Sequence, residues 1–312
     1  MARISRLTDV QIADIVSQFD MGTFWNYNYI RGGQANTNYS IVTTKGEYVL
    51  TICDEKTEEE VHQRTILLDR LFDKGLPVPE IVPNIDGYSY IMFNNKPVIV
   101  KTFIEGQIVK HFNEKQTYQM GEVLAQIHTS AVPSSLPMKM PYDIKGFKEV
   151  YKHDNYFGKW VLDKVRFLKE HIPTNVPKGL IHGDFFWDNV LFHGEELSAV
   201  IDFEEACSFD LAYDLSMALI GTCVEKNSIN EPLARSFIKG YQKVRKIQKI
   251  EKDHLNYYIT YAATAAAYWR FRQYNIVLPN DRLKNHHEVL MEIADYYDGV
   301  YAKVFTDSYF AD

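Results

Sequence analysis

The chain has few cysteines, no long apolar run and no surplus of positive charge, and each shortage removes a class of protein. Cys53, Cys207 and Cys223 are the only three cysteines. Their odd number and lack of metal-ligand spacing exclude a disulfide framework and a zinc module as the organising element. They are expected as reduced thiols inside a core. No apolar stretch approaches the ~18 residues needed to span a bilayer. The opening Met1-Ala2-Arg3-Ile4-Ser5-Arg6 leads into an amphipathic helix pattern rather than a signal peptide. The expected setting is the cytoplasm, without a membrane partner. The formal net charge of -7 counts against a nucleic-acid partner, because binding a phosphate backbone needs a basic face. Pro/Ser-rich linkers, low-complexity tracts and internal repeats are missing as well. What remains is 312 residues, 46% of them hydrophobic and 14% aromatic, enough to fill two cores in a folded protein.

The stretch Leu180 to Phe203 organises the chain. Two apolar runs, Val190-Leu191-Phe192 and Ala199-Val200-Ile201, read as short strands around the turn His193-Gly194-Glu195-Glu196. Three polar residues surround that hairpin: Asp184, Asn189 and Asp202. Asp184 can accept the proton of an attacking hydroxyl, while Asn189 and Asp202 offer the hard oxygen ligands that magnesium prefers. Protein kinases place a catalytic Asp, an Asn five residues on and a metal-binding Asp in the same order. An unassisted Asp184 is expected to titrate near pH ~4 and so to be ionised at neutral pH.

In chain order, Thr8-Asp9 marks a helix start, followed by Val10, Ile12, Ile15, Val16 and Phe19 at helical spacing. Strands are expected at Trp25–Ile30, Asn38–Thr43 and Tyr48–Ile52. Between the first two lies the loop Arg31-Gly32-Gly33-Gln34-Ala35-Asn36-Thr37. Its glycine pair lets backbone N–H groups approach and cradle phosphate oxygens. A charged helix is expected from about Glu58 to Lys74, ended by Leu76-Pro77-Val78-Pro79. Strands at Tyr88–Phe93 and Pro97–Phe103 close the sheet, and Ile104-Glu105-Gly106 reads as a hinge. Beyond it everything reads helical except the catalytic hairpin. His128 reads as helix packing and His182 as a brace of the catalytic loop. Near the C-terminus, the aromatics and arginines of 268–274 read as a core helix with solvated arginines, or else as the wall of a substrate pocket.

His182-Gly183-Asp184 with Asn189, followed by Ile201-Asp202-Phe203, resembles the Brenner-type signature of the aminoglycoside phosphotransferase and choline kinase superfamily. Gly183 stands where protein kinases carry Arg, which points to the small-molecule branch. Asn36-Thr37-Asn38, the strand Tyr48-Val49-Leu50-Thr51-Ile52, and Asp188-Asn189-Val190-Leu191-Phe192 are similar to the type II homoserine kinases within that superfamily. The resemblance implies an α+β, two-lobed protein-kinase-like fold. Residues 1–103 would form a small β-rich nucleotide-binding lobe, and residues 104–312 a larger helical lobe with the catalytic loop. It further implies ATP and Mg2+, with a small-molecule alcohol as phosphate acceptor, and a monomer or homodimer. L-Homoserine leads as acceptor. Aminoglycosides, choline and ethanolamine are alternatives, and a nucleotide-binding pseudokinase is a third possibility.

The roles carried over from the resemblance follow residue by residue. Asp184 is the catalytic base, and Asn189 and Asp202 are the metal ligands. Gly32, Gly33, Asn36, Thr37, Asn38, Thr51, Lys101, Phe103 and Ile104 face the nucleotide. His182, Asp188, Glu204, Asp214 and Arg272 support the loop or the substrate. Thr51 stands where kinases usually carry the phosphate-binding Lys, with Lys101 and Arg64 as substitutes. Gly183 replaces an expected Ala, and Ala267 an expected Arg.

Overall fold

The structure is a computed structural model that describes residues 5–30, 36–134, 136, 140, 142–152, 155–299, 305 and 309–310. Two compact units emerge. The first comprises Met1–Gly106 with Pro133–Leu136 and Ser198–Ile201; the second comprises Gln107–Val132, Pro137–Leu197 and Asp202–Asp312.

The first unit is built on an antiparallel sheet. Helix α1 (Asp9–Ser17) opens with a reciprocal cap, the Thr8 side chain accepting from the Gln11 N–H while the Gln11 side chain returns to Thr8. Its spacing buries Ile12, Ile15 and Val16, while Val10, expected inward, is 78% exposed because it falls off that stripe. The strands are β1 (Phe24–Ile30), β2 (Thr37–Thr43) and β3 (Gly46–Ile52), then, beyond α2 (Glu58–Asp73), β4 (Ile81–Val82), β5 (Ile91–Phe93) and β6 (Lys96–Thr102). Their order is β1-β2-β3-β6-β4, with β5 also paired to β6. Strand alternation sends Tyr39, Ile41, Leu50, Ile52, Val98 and Val100 into one core with the buried face of α1. The rows Asn38–Thr51–Ile99 and Ser40–Val49–Lys101 are in register on the opposite face. The strand expected from Tyr88 begins only at Ile91. Upstream of it the Asn84 side chain accepts the Asp86 and Tyr88 N–H groups at 3.0 and 2.8 Å, fixing a turn instead.

The second unit is mostly helical. It contains β7 (Gln107–Ile108), α3 (Glu114–His128), a 3-10 segment (Ile144–Lys152), α4 (Asn155–His171), β8 (Lys178–Ile181), β9 (Val190–His193) and the start of β10 (Glu196–Val200). Then follow β11 (Cys207–Asp210), α5 (Leu211–Thr222), β12 (Val224–Glu225), β13 (Ser228–Ile229), α6 (Glu231–Val244), α7 (Lys249–Phe271) and α8 (Glu288–Asp298). The expectation of helices alone around the hairpin is corrected here. β8 pairs with β11, β7 with β9 and β12 with β13, all antiparallel. Such strands are too short to show a period, and the partners of β7 and β8 lie far along the chain. Helix α5 buries all 12 of its residues, apolar for the most part with Asp214 its one charge. Among the described residues no helix is long and apolar enough to cross a membrane.

Helices α3 and α6 cross where both carry glycine. A Cβ on Gly121 would lie 2.0 Å from the Phe237 carbonyl oxygen, and one on Gly240 would lie 2.0 Å from that of Tyr118. Neither backbone atom can swing away, so the crossing exists only with glycine at both points. Gly240→Ala is therefore expected to cost about 1–3 kcal/mol of stability. In urea unfolding this should lower the midpoint with the slope kept.

Candidate active site

The site begins where β8 ends. Gly183 has φ +87°, and a Cβ there would sit 2.7 Å from the Glu205 carbonyl oxygen. Conformation and space both require glycine, which accounts for its presence where Ala was expected. The turn is tied down from α5. Asp214 is fully buried and accepts the His182 and Gly183 N–H groups at 2.7 and 2.8 Å. The same carboxylate lies 3.0 Å from His128 Nε2, whose Nδ1 is 2.6 Å from the Tyr241 hydroxyl. Arg245 donates to that hydroxyl at 3.1 Å and to both carboxylate oxygens of Glu251 at 3.0 and 2.9 Å. His182 braces the loop as an acceptor: its Nδ1 takes the Asp184 N–H at 3.3 Å, and its ring packs against Phe185 and Phe203. Gly221 of α5 completes the seat, since a Cβ there would reach the Phe185 carbonyl oxygen at 2.7 Å.

The three expected residues meet at this loop. Asn189 closes the 3-10 turn Trp187–Asn189, and its amide nitrogen donates to the Asp184 carbonyl at 2.8 Å and to Asp184 Oδ2 at 3.1 Å. That spends the nitrogen and leaves the amide oxygen for a cation. Asp202 holds φ +65°, a left-handed conformation rare outside glycine. Asp184 does not titrate near 4 as expected. Burial first, then the charges of Asp202, Asp188 and Glu205, push it up to about 7, with the Asn189 hydrogen bond opposing them. Burial, and after it Asp202, also raises Asp188. Carboxylates that repel one another beside a free amide oxygen form a hard-oxygen donor set that fits magnesium, which favours a few such ligands plus phosphates.

A second group stands beside the loop. Tyr142 is hydrogen-bonded to Trp269, and burial, then the charges of Glu205 and Asp184, raise its pKa. Arg272, in the π-helical turn Arg272–Val277 that continues α7, gives its Nε to Glu149 at 2.8 Å. Arg270, read from sequence as solvated or else as part of a pocket wall, is half-buried with its guanidinium 5.9 Å from the centre of the Phe186 ring. Its position between Trp269 and Phe271 at the end of a buried helix was the available signal.

Of the residues assigned to nucleotide, Gly32 and Gly33 lie outside the described residues. Asn36 precedes β2. The Thr37 hydroxyl donates to Asp54 at 2.6 Å and accepts the Ser5 N–H at 3.0 Å. The Thr51 hydroxyl donates to Asn38 Oδ1 at 2.7 Å. Lys101 is half-buried on the same sheet face as Thr51. The Phe103 N–H bonds to the Glu47 carbonyl at 3.1 Å, with Ile104 just beyond the end of β6. Glu204 is half-buried in the turn after Phe203.

Comparison with known proteins shows the family and the fold. The model of the phosphotransferase enzyme family matches residues 26–251. A homoserine kinase of Sinorhizobium fredii is 30% identical over 265 residues, covering 82% of this chain and 81% of its own. One of Bradyrhizobium diazoefficiens is 31% identical over 262 residues, 80% of each chain. Among solved structures, amicoumacin kinase with AMP-PNP, Ca2+ and its ligand superposes with a TM-score of 0.74 at 13% identity, over 94% of this chain and 93% of that one. Spectinomycin phosphotransferase with ADP and spectinomycin gives 0.68 at 17% identity, over 98% and 100%. At such identities these structures support the fold alone, an α+β kinase-like architecture.

Asp214 generates the prediction for this site. Burial acts to raise its pKa, but the His128 hydrogen bond and charge, the charge of His182 and the His182 N–H outweigh burial and leave it lowered. A depressed carboxylate stabilises the fold fully above its unfolded pKa of ~3.9, and that contribution fades as pH falls through the lower folded value. Asp214→Asn is expected to cost about 3–5 kcal/mol at neutral pH, the scale for breaking a buried network. Chemical denaturation from pH 7 to 3 should show the gap to the parent protein narrowing below pH ~4.

Proposed function

This chain belongs to the phosphotransferase enzyme family, and on that premise we propose that it moves the γ-phosphoryl group of ATP to the hydroxyl of a small alcohol, L-homoserine before others. A small-molecule phosphotransferase needs one base, a metal grip and a rigid loop. The observation that carries the reading is that Asn189 is hydrogen-bonded to Asp184 and the charge of Asp202 acts on Asp184, on a loop anchored by Asp214.

Asn189 and Asp202 are the residues that would hold magnesium, which when bound neutralises phosphate charge. The same cation would favour the ionised form of Asp184 against the crowding of its neighbours. Asp184 then orients the acceptor hydroxyl and takes its proton as the new oxygen–phosphorus bond forms and the bond to ADP breaks. Phosphoryl transfer leaves little covalent work to the protein, so placing these groups supplies most of the rate. His182 and Asp214 fix the loop, and Asp188 and Glu204 lie on either side of the metal ligands. Residues of the first unit, from Gly32, Gly33 and Asn36 through Thr51 and Lys101 to Phe103 and Ile104, are proposed to carry the nucleotide.

L-Homoserine is favoured by the two relatives at 30% and 31% identity that bear the name homoserine kinase. A coupled ADP-release assay with MgATP against L-homoserine, choline, ethanolamine, an aminoglycoside and methylthioribose tests the assignment. Turnover is expected with L-homoserine, and turnover confined to another alcohol would discard that substrate while keeping the reaction. Asp184→Asn should lower kcat on the order of 10²–10⁴-fold, with ATP binding retained in calorimetry. Full activity in that variant would remove Asp184 from its role.

A further inference from the structure

We propose that Arg270, rather than Arg272, is the residue that binds an anionic carboxylate on the phosphate acceptor and so selects hydroxy acids over plain amino alcohols. The proposal rests on the phosphotransferase reading and deepens it by naming the acceptor class.

The two arginines leave the same end of α7 but meet different surroundings. The Nε of Arg272 is already paired with the Glu149 carboxylate at 2.8 Å, and the Tyr268 hydroxyl donates to that carboxylate at 3.2 Å. Its charge is met within the protein. Arg270 gives one N–H to the His286 carbonyl at 3.2 Å and lies over Phe186, two residues beyond Asp184. Asp188 and Asp184 act on it through space. One of five donors is committed to His286, so the planar fork can still receive a bidentate anion.

Asp188 and Asp184 offset part of the cost of holding this guanidinium half-buried, but among the described residues no carboxylate is hydrogen-bonded to it, so its remaining donors can take a further anion. The neighbouring side chains suggest which anion. Trp269 is hydrogen-bonded to Tyr142, and Tyr142 feels Glu205 and Asp184. Arg270 therefore stands on the aromatic wall next to the base, where an acceptor would present its hydroxyl. Phosphate charge would instead be met by the cation at Asn189 and Asp202. A carboxylate carried a few bonds from the reacting hydroxyl meets this geometry, whereas an acceptor without one leaves the open donors of Arg270 unused.

The test uses the full-length protein with MgATP and three alcohols: L-homoserine, 4-hydroxybutanoate, which keeps the carboxylate, and 3-amino-1-propanol, which lacks it. The parent enzyme should prefer the two carboxylates. Arg270→Ala should raise KM for both by roughly 10- to 150-fold, the worth of a charge-assisted hydrogen bond. The preference over 3-amino-1-propanol should then collapse, while Arg270→Lys should retain part of it. Calorimetric titration of 4-hydroxybutanoate into each protein reads binding without turnover and covers a variant that folds poorly. A parent enzyme that works on 4-hydroxybutanoate but not on L-homoserine would overturn the homoserine assignment and leave Arg270 in place. The proposal fails if the parent binds neither carboxylate, or if Arg270→Ala keeps the parent's preference. An equal fall in kcat with all three alcohols would also overturn it, and would place Arg270 at the transferring phosphoryl group.

Discussion

The second unit depends on one buried carboxylate. Asp214 receives two consecutive backbone N–H groups of the turn at His182-Gly183 and sits against His128. Without it, the left-handed turn at Gly183 would leave two donors unmet in an interior where an orphaned polar group costs about 1–3 kcal/mol. The carboxylate is held in turn by a chain of partners through His128, Tyr241, Arg245 and Glu251, which joins α3, α5, α6 and α7. Four helices thus set the position of one turn, a dependence suited to a reaction in which placement supplies most of the rate.

Rigidity behind the loop contrasts with electrostatic crowding in front of it. Burial, then the charges of Asp202, Asp188 and Glu205, raise the proton affinity of Asp184, burial and Asp202 raise that of Asp188, and Asp202 adds a left-handed backbone. Such a cluster is unfavourable in isolation, and the proposed divalent cation would relieve it. The energy that keeps the carboxylates together comes from elsewhere: from α5, buried along its whole length, and from the glycine crossing of α3 and α6. Packing remote from the loop maintains this local strain.

Much of the first unit could be read directly. The Thr8–Gln11 cap and the alternating strands are local patterns, formed by residues only a few positions apart. Tyr88 did not continue the strand as expected because the Asn84 side chain offered its N–H a nearer acceptor. In the second unit, β8 and β11 escaped notice because strands of four residues show no period, and each makes sense only beside the other. The sequence leaves Arg270 open between a solvated position and a pocket wall for a related reason. Its surroundings are built by Phe186 and His286, which helical spacing cannot bring to mind.

What the sequence by itself determined is the identity and order of the groups proposed to react: Asp184, Asn189 five residues on, and Asp202 beyond a hairpin. Their spacing is set by a short loop whose geometry leaves few alternatives. Gly183 belongs to the same class, because its conformation is a property of that turn. The tertiary structure decided the properties those groups have. The proton affinity of Asp184 comes from burial and from Asp202, Asp188 and Glu205. The hold on the loop comes from α5, and the difference between Arg272 and Arg270 comes from whether Glu149 or Phe186 lies opposite. Charge and desolvation act through space, so they become defined only when residues distant in the chain are brought together.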